Sequence, residues 1–487
     1  MPPNEPPAEP PAEPAGLATS SAVDVAAWIA AGHVSPVEVL DACLERIERV
    51  QSRLNCFTNV WDDEARRSAR LAADAVAARR TLGPLHGVVV AIKETTPVTG
   101  HRLTLGSWTH DDVAERDAHV PAALRRAGAV LIGHTTSPEF AHAGQTDSPR
   151  WGTTRNPWNP ALTPGGSSGG SGVAVATGCA YLAEGSDMGG SVRIPASWCG
   201  IVGLKPGIGR IPMDVLPGLY DCLSHHGPLA RTVGDARAFL AAVQGPDECD
   251  PQSVTAPLDL TGRLDGDVRG MRFVLSVDHG SWAVHPEIAA AVRAAAEALA
   301  ARGAVVHELA TPEPLFTARD QDVWIRLWGV FMSAYFGHLL DAHVERMDPD
   351  VVSLIHLGKS MSATELKRLE LDRTALWHRV RAALDGYDAM LCPTMAQPPL
   401  PAAKADGRPG PHADDGLVHA YDMTSVWNLA PSLPVLSVPC GVHAAPGYEG
   451  VPIGMQVVGH RWREDVVLRV GRAIELALPA VVARRPV

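Results

Sequence analysis

Hydrophobic and polar positions along this chain follow a helical period in some segments and form short apolar runs in others. Helical spacing over residues 36–50 follows Ser35, a capping hydroxyl placed just before a proline in the first turn. A second helical pattern, rich in Ala and Arg, covers residues 62–80. Residues 87–93 instead form a short apolar run rich in β-branched side chains, which is typical of a buried strand.

Helices and strands alternate over the rest of the chain as well. Alternation of this kind indicates an α/β layer fold. No internal repeat and no clean linker interrupts it, which favours a single domain over residues 17–487. Residues 1–16, largely Pro, Glu and Ala, predict a disordered tail, and residues 400–416 predict a mobile surface loop. The patterns predict further helices near 121–127 and 285–301, and strands near 129–133, 271–277, 305–308, 387–392, 435–439 and 453–458.

Composition and charge argue against several classes of function. The 487 residues carry a net charge of −12 and no long basic run, so no nucleic-acid partner is expected. The N-terminus lacks the basic start and apolar stretch of a secretory signal, and no apolar run is long enough to span a membrane. The eight cysteines are dispersed without a CxxC pair, which predicts reduced thiols in a cytoplasmic protein.

Two segments rich in glycine and serine carry the strongest chemical signal. They cover residues 164–172 and 185–195. Glycine costs backbone entropy, so many glycines beside apolar residues indicate that the backbone must approach something closely, such as a reacting group. A flexible linker would stay polar, whereas the apolar residues 173–176 directly follow the first segment.

Other catalytic templates fit the chain poorly. A phosphate-binding loop needs a Lys after its second glycine, and neither segment contains one. A zinc-binding HExxH motif starting at His307 fails because Thr311 stands in place of the second His. Residues 166–170 satisfy the GxSxG pattern of an esterase nucleophile, with Ser168 at the centre. Segments rich in glycine and serine match that pattern by chance, so it is weak evidence.

Six motifs together resemble one known family. They lie at residues 85–93, 136–141, 152–158, 163–206, 227–233 and 452–459. The chain resembles the amidase signature family, which includes bacterial amidases, carbamate-cleaving amidases, fatty acid amide hydrolase and the A-type component of glutamyl-tRNA amidotransferase. The resemblance implies an α/β/α fold, a large mixed β-sheet with helices on both faces. It also implies no metal, no organic cofactor, a small-molecule substrate, and a homodimer as the candidate assembly.

Carried onto this sequence, the resemblance implies a Ser–Ser–Lys triad. Ser191 would be the nucleophile that forms an acyl-enzyme, Ser167 the proton relay and Lys93 the base. A serine hydroxyl is a poor nucleophile until a base takes its proton, and a lysine can do so only when burial lowers its pKa. Lys93 ends an apolar run, which provides that setting. The resemblance also implies a cis peptide bond between Gly166 and Ser167.

The second glycine-rich segment is expected to stabilise the oxyanion. The backbone N–H groups of Met188, Gly189, Gly190 and Ser191 would donate to it. Ser168, Asp187 and Arg193 are expected to orient this loop, the latter two as a buried ion pair.

The expected activity is hydrolysis of an acyl C–N bond in an amide, an anilide or a carbamate (urethane), with glutamine as a less favoured substrate. Esterase activity is a candidate side reaction. The resemblance implies that the segment 141–145 lines the acyl side of the pocket, and its small residues suggest room for a bulky or planar group there. The tryptophans near residues 324–328 are candidates for the leaving-group side. The predicted pocket residues are Ala141, His142, Gly144, Gln145, Gln397 and Trp427.

Three other functions stay open on the sequence alone. One is an A-type amidotransferase component that passes ammonia to a partner. Another is an esterase that uses Ser168 with a histidine, for which His86, His225 and His226 are candidates. The third is a scaffold without catalytic activity.

Overall fold

The computed structural model of the protein describes residues 10–11, 14–80, 82–262, 264–311, 313–403 and 415–486. Most of the tail predicted for residues 1–16 therefore lies outside the described residues, and a helix already begins at Pro14. Most of the loop predicted for residues 400–416 also lies outside the described residues.

Helices and strands alternate through the described chain. The α-helices are α1 (Pro14–Ala18), α2 (Ala22–Ala31), α3 (Pro36–Leu54), α4 (Asp62–Ala77), α5 (His119–Arg126), α6 (Gly169–Ala176), α7 (Arg193–Cys199), α8 (Val233–Val243), α9 (Pro286–Ala301), α10 (Ala318–Phe336), α11 (Leu340–His343), α12 (Pro349–Lys359), α13 (Ala363–Leu384), α14 (Ser425–Asn428), α15 (Glu464–Ala477) and α16 (Pro479–Val482). The strands are β1 (Phe57–Val60), β2 (Val89–Lys93), β3 (Arg102–Leu103), β4 (Asp112–Val113), β5 (Val130–Thr135), β6 (Asp147–Ser148), β7 (Gly152–Thr153), β8 (Leu182–Asp187), β9 (Val202–Lys205), β10 (His225–Ala230), β11 (Arg272–Leu275), β12 (Val305–Glu308), β13 (Ala389–Pro393), β14 (Val435–Val442) and β15 (Pro452–Gly459).

Local sequence signals explain where several of these elements begin. Helix α3 starts at the predicted cap, where Ser35 and Glu38 form a reciprocal capping box and proline occupies the first turn. Strand β2 is buried at all five positions, as its continuous apolar run predicts. Each strand and helix predicted above from the hydrophobic pattern has a counterpart within a few residues.

Eleven strands form one mixed sheet, in the order β1-β5-β2-β8-β10-β9-β14-β15-β13-β11-β12. Strands β5, β2 and β8 are parallel neighbours, as are β13, β11 and β12, and the strands between these two groups pair antiparallel.

Helices cover both faces of this sheet. Along β13, Ala389 and Leu391 belong to one hydrophobic cluster while Met390 and Cys392 belong to another, because successive side chains of a strand point to opposite faces. The first cluster includes residues of α9 and α15, and the second includes residues of α10 and α13. The predicted α/β/α architecture with a large mixed sheet is therefore confirmed.

The sheet also determines where reactive groups can meet. Because β2 and β8 are parallel neighbours, their carboxyl ends lie at the same edge. Lys93 is the last residue of β2 and Asp187 the last residue of β8. The loop 188–192 then leads from β8 into α7, so the second glycine-rich segment lies at this edge.

Two further features concern the chain as a whole. No helix in the described ranges combines the length and the apolar character that crossing a membrane requires. All eight cysteines are free thiols, and six of them are buried.

Candidate active site

Lys93 and Ser167 are in direct contact at the sheet edge. The Lys93 Nζ donates a hydrogen bond to Ser167 Oγ at 2.7 Å and another to Ser186 Oγ at 2.9 Å. The Lys93 side chain is fully buried, and Ser167 is also buried. The peptide bond between Gly166 and Ser167 is cis, as the resemblance implied. Two members of the predicted triad are thus joined in a site without access to bulk water.

Burial changes the acidity of this lysine. Loss of solvent lowers the pKa of the Lys93 ammonium to about 8, although the charge of Glu184 and other nearby carboxylates opposes the change. Glu184 is buried in β8 and also accepts a hydrogen bond from the Lys93 backbone N–H at 3.0 Å. A lysine with this pKa is partly neutral near pH 8 and can then accept a proton from a hydroxyl.

The glycines of α6 allow the loop 164–168 to sit against the sheet. A Cβ at Gly170 would lie 2.4 Å from the backbone nitrogen of Thr136, and a Cβ at Gly169 would lie 2.2 Å from the Thr146 hydroxyl. Any larger residue would push α6 outward and carry Ser167 away from Lys93. The glycine content recognised in the sequence therefore has a packing role at this point.

Ser191 stands at the start of α7 and faces a cavity at this edge. Its carbonyl oxygen accepts a hydrogen bond from the backbone N–H of Ser168 at 3.2 Å, which ties the two glycine-rich segments together. Within the described chain no hydrogen bond joins the Ser191 and Ser167 hydroxyls. Nucleophile and base pairs are often looser without substrate than in the reacting complex, so this arrangement is compatible with catalysis.

A buried ion pair holds the loop 187–193. The Arg193 Nη2 and Nε atoms donate to the two carboxylate oxygens of Asp187 at 2.9 and 3.0 Å. The same carboxylate accepts from the backbone N–H groups of Gly190 at 2.8 Å and Val192 at 3.2 Å. Both charged side chains are completely buried, as the sequence predicted for an orienting pair.

The ion pair is enclosed by further polar contacts. Arg193 also donates to Asn428 Oδ1 at 2.7 Å, to Gln456 Oε1 at 2.8 Å and to the Thr424 carbonyl at 3.0 Å. Burial alone would raise the pKa of the Asp187 carboxyl, but the charge of Arg193 and its hydrogen bonds hold that pKa well below the usual range. Asp187 therefore stays ionised and acts as a fixed acceptor for the loop.

The oxyanion donors differ in one respect from the expectation. The N–H of Gly190 is committed to Asp187 Oδ1 and is not available to a substrate oxygen. Among the described residues, no acceptor takes a hydrogen bond from the N–H groups of Met188, Gly189 or Ser191. Three of the four predicted donors therefore remain available. Gly190 has a φ of 118°, a conformation that favours glycine, and a Cβ there would lie 1.9 Å from Thr424 Oγ1.

The cavity in front of Ser191 has a volume of about 360 Å³. Its walls are largely apolar and aromatic, and its polar groups include two carboxylates. The lining residues are Ala141, His142, Ala143, Gly144, Met188, Gly189, Ser191, Ile194, Trp324, Ile325, Trp328, Asp350, Ser353, Leu354, Leu357, Tyr421 and Asp422.

Part of the predicted pocket lies at this cavity and part does not. Ala141, His142 and Gly144 line it, and a Cβ at Gly144 would lie 2.6 Å from the Tyr421 hydroxyl, so a small residue is needed there. Three other predicted residues are not among the lining residues. Gln145 donates to the Pro401 carbonyl at 3.1 Å, Gln397 donates to the Ala283 carbonyl at 2.6 Å, and Trp427 is buried against His279 and Phe316 in the hydrophobic core.

Helices α10 and α12 form one wall of the cavity, and the sequence predicted only the part that comes from α10. The stretch 324–328 was expected near the leaving group, and Trp324 and Trp328 do face the cavity. The contributions of Tyr421, Asp422 and α12 were missed. The spacing of the two tryptophans, four residues apart on one helix face, was the available signal for α10.

A small cluster of titratable groups borders the cavity. His142, Asp348 and Asp350 bring nitrogen and oxygen atoms within 4.8 Å of one another, and His142 Nε2 lies 3.7 Å from Asp348 Oδ2. Two similar groups lie elsewhere, formed by His119, Asp247 and Cys249 and by His285, Glu287 and His443. These three groups are where a cation could be held among the described residues, and none includes a member of the triad.

The histidine-based alternative finds no support in the geometry. Ser168 Oγ donates to the Ser186 carbonyl at 3.3 Å. His86 contacts the carbonyl of Ala72 at 3.0 Å, and both ring nitrogens of His225 contact backbone carbonyls. His226 contacts the Glu184 carboxylate at 2.8 Å. In the described part of the chain, no histidine forms a hydrogen bond with Ser168.

Comparison with known proteins agrees with the geometry. The family model described as amidase matches residues 38–468, which is most of the chain. The chain belongs to the amidase signature family. This amidase is therefore a hydrolase of amide C–N bonds.

Similar relatives of this amidase include hydrolases and a component of an amidotransferase. An acylamidase of Rhodococcus erythropolis is 34% identical over 94% of this chain and 95% of its own. The A-type component of the glutamyl-tRNA(Gln) amidotransferase of Roseiflexus sp. (strain RS-1) is 35% identical over 91% of this chain and 93% of its own. A bacterial aryl acylamidase of the amidase signature family has a similar structure, with a TM-score of 0.88 and 28% identity over 96% of this chain and 99% of the other.

Proposed function

We propose that this protein is a serine amidase that hydrolyses amides or carbamates with an apolar, flat group. The observation that carries the proposal is the hydrogen bond from the buried Lys93 amine to Ser167, whose segment is bonded to Ser191, a residue that lines an aromatic cavity. No part of this mechanism requires a metal or an organic cofactor.

In the proposed mechanism, a neutral Lys93 takes a proton through Ser167 from the Ser191 hydroxyl. The Ser191 oxygen then attacks the acyl carbon, and the resulting oxyanion is held by backbone N–H groups of Met188, Gly189 and Ser191. The proton returns through Ser167 to the leaving nitrogen, because an amine anion is a poor leaving group. The acyl-enzyme on Ser191 is then hydrolysed by water.

The cavity wall supports an aromatic substrate. Trp324 and Trp328 stack with ring centroids 6.3 Å apart and an interplanar angle of 22°, and Tyr421 lies on another wall. Flat aromatic groups gain both buried area and favourable ring packing between such side chains. The similarity to an acylamidase and to an aryl acylamidase supports the same class, which includes anilides.

The charges of the cavity argue against glutamine as the substrate. Glutamine carries a carboxylate that a binding site must neutralise, and arginine or lysine is the usual partner. Within the described residues, no Lys or Arg lines this cavity, whereas Asp350 and Asp422 do. These aspartates can pair with the α-ammonium group of glutamine, but no cationic side chain among the lining residues would neutralise its carboxylate. The relative that belongs to an amidotransferase keeps glutamine hydrolysis as the second candidate to be tested.

The test is a panel of an anilide and a primary amide that share one acyl group, an N-aryl carbamate that releases the same aniline as the anilide, and L-glutamine. Wild type, Ser191→Ala and Lys93→Met are compared, with Ser168→Ala as the matched serine control. We expect cleavage of the anilide or carbamate to fall by more than about a thousandfold in the first two variants, because each removes a reacting group. The Ser168→Ala variant should lose much less.

Two results would contradict the proposal. Near-normal activity of Lys93→Met would reject lysine as the base. Preferential hydrolysis of glutamine by the wild type would instead assign the protein to the amidotransferase class, whose partner protein would then be sought by copurification.

A further inference from the structure

Two indole groups of α10 donate hydrogen bonds to two other segments that line the cavity. Trp324 Nε1 donates a hydrogen bond to the Met188 carbonyl at 2.9 Å, and Trp328 Nε1 donates to the His142 carbonyl at 3.3 Å. Met188 begins the loop of oxyanion donors, and His142 belongs to the acyl-side segment. Helix α10 is thus bonded to the backbone of two separate segments that line the cavity.

In addition to this hydrogen bond, the Trp324 ring packs tightly against the backbone of Gly189. A Cβ at Gly189 would lie 2.3 Å from the Trp324 ring, so the indole packs directly on the backbone of the loop. Gly189 is therefore required because the ring occupies the space that a side chain would need.

The hydrogen bond to Met188 also orients the next amide. A trans peptide unit is planar, and its carbonyl and its N–H point in opposite directions. When Trp324 holds the Met188 carbonyl, it fixes the direction of the Gly189 N–H. That N–H is one of the three donors left free for the oxyanion.

The adjoining peptide units are each held by a different group. The Gly189 carbonyl accepts from Thr424 Oγ1 at 2.7 Å while the Gly190 N–H donates to Asp187, so the peptide between them is fixed at both ends. The Gly190 carbonyl accepts from the Ile194 N–H at 2.7 Å, which orients the Ser191 N–H. The Trp324 indole is the side-chain contact that does the same for the Gly189 N–H.

We propose that Trp324 is a positioning residue for the oxyanion hole: its indole N–H fixes the peptide plane that aims the Gly189 N–H at the developing negative charge. The inference rests on the proposed function, because it assumes a tetrahedral intermediate on Ser191. It assigns to α10, which lies outside the six motifs that resemble the family, a role in turnover in addition to forming the cavity wall.

The test separates the hydrogen bond from the ring. Trp324→Phe keeps an aromatic ring and loses the donor. Trp324→His keeps a ring N–H, because the imidazole Nε2 lies two bonds from Cγ just as the indole Nε1 does, but it loses the benzo ring. Trp328→Phe is the matched control, since it removes an equivalent donor from the same helix face without touching the oxyanion loop.

The expected result is a split between kcat and KM. Complete loss of an oxyanion donor lowers the rate by about 10²–10³. In Trp324→Phe the Gly189 N–H is still present but less well oriented, so we expect kcat to fall by roughly tenfold and KM to change by less than about threefold. Trp324→His should recover part of that loss. Trp328→Phe should act mainly on KM, because it loosens the acyl-side wall.

A second measurement is the affinity for an inhibitor that mimics the negatively charged tetrahedral intermediate. An aryl boronic acid, which forms a tetrahedral adduct with a catalytic serine, should bind to Trp324→Phe more weakly by the same factor as kcat/KM falls. The melting temperature of each variant shows whether it is folded.

Failure of the role of Trp324 and failure of the serine mechanism would give different results. If Trp324→Phe keeps normal kcat and normal boronate affinity while Ser191→Ala is inactive, Trp324 does not position the oxyanion hole and the serine mechanism still stands. An equal loss in Trp324→Phe and Trp324→His would show that ring packing alone matters, and would also overturn the inference. Full activity in Ser191→Ala would contradict the proposed function instead.

Discussion

Replacing Arg193 with methionine tests the buried ion pair of the active-site loop. The substitution keeps most of the side-chain volume but removes the five hydrogen bonds that the guanidinium makes. Asp187 would keep the donors from Gly190, Val192 and the Asn428 side chain but would lose its only ion-pair partner among the described residues. A negative charge would then be buried with hydrogen bonds but without an ion-pair partner.

The expected loss can be derived from this geometry. Removing one partner of a fully buried, hydrogen-bonded ion pair destabilises a protein by about 3–5 kcal/mol. The unfolding entropy is roughly 2 cal/mol/K per residue, so for a chain of 487 residues a loss of that size lowers the melting temperature by about 3–5 °C. The loop should also become less ordered, so kcat should fall together with stability.

The assay is urea unfolding followed by fluorescence, together with thermal melting. Arg269→Met is the matched control, because Arg269 pairs with Asp267 at an exposed position and its loss should have no measurable effect. The double variant Asp187→Asn/Arg193→Met removes both charges and should be more stable than Arg193→Met alone. A loss below about 1 kcal/mol in Arg193→Met, or a double variant less stable than that single one, would refute the reasoning about the buried charge.

Two further predictions follow from the same site. The value of kcat/KM should rise with pH and level off above an apparent pKa of about 8, since burial lowers the pKa of Lys93 to about 8 and only its neutral form accepts a proton; a pH–rate profile flat from pH 6 to 9 would contradict this. Gly190→Ala should reduce kcat by at least about tenfold, because its Cβ would lie 1.9 Å from Thr424 Oγ1 and the loop must move; an amide kcat within twofold of wild type would contradict it.

The fold could be predicted because its signals are local, and the candidate reacting groups because they lie in short motifs that resemble those of one family. Strand β2 is a continuous apolar run that ends at Lys93, and the capping residues Ser35 and Glu38 mark where α3 begins. Ser167 and Ser191 lie within the two glycine-rich segments, whose composition reflects close backbone packing. Short motifs of this kind carry both the chemistry and the backbone shape it needs.

The cavity was harder to predict because distant segments form it. Gln397 and Trp427 were plausible by residue type, yet one bonds to the backbone of Ala283 and the other packs in the core. Tyr421 was missed although it stands against Gly144, because a contact between positions so far apart leaves no periodic pattern.

The commitment of one oxyanion donor could not be read from the sequence either. The backbone N–H of Gly190 is used by the Asp187 carboxylate, and the direction of an amide depends on three-dimensional contacts. The glycine run indicated that the loop carries donors but did not show which of them are already bonded.

The proposed reacting groups and part of the cavity wall come from different stretches of the chain. This separation affects how the substrate selectivity of the protein can change. The proposed reacting groups lie within residues 93–191, whereas α10 and α12 lie between β12 and β13 and form another part of the cavity wall. An exchange of the segment 318–359 with that of a relative would alter selectivity and leave the triad intact. The Trp324–Met188 contact is where the two parts must match. We expect hybrids without a donor at position 324 to recognise new substrates but to turn them over slowly.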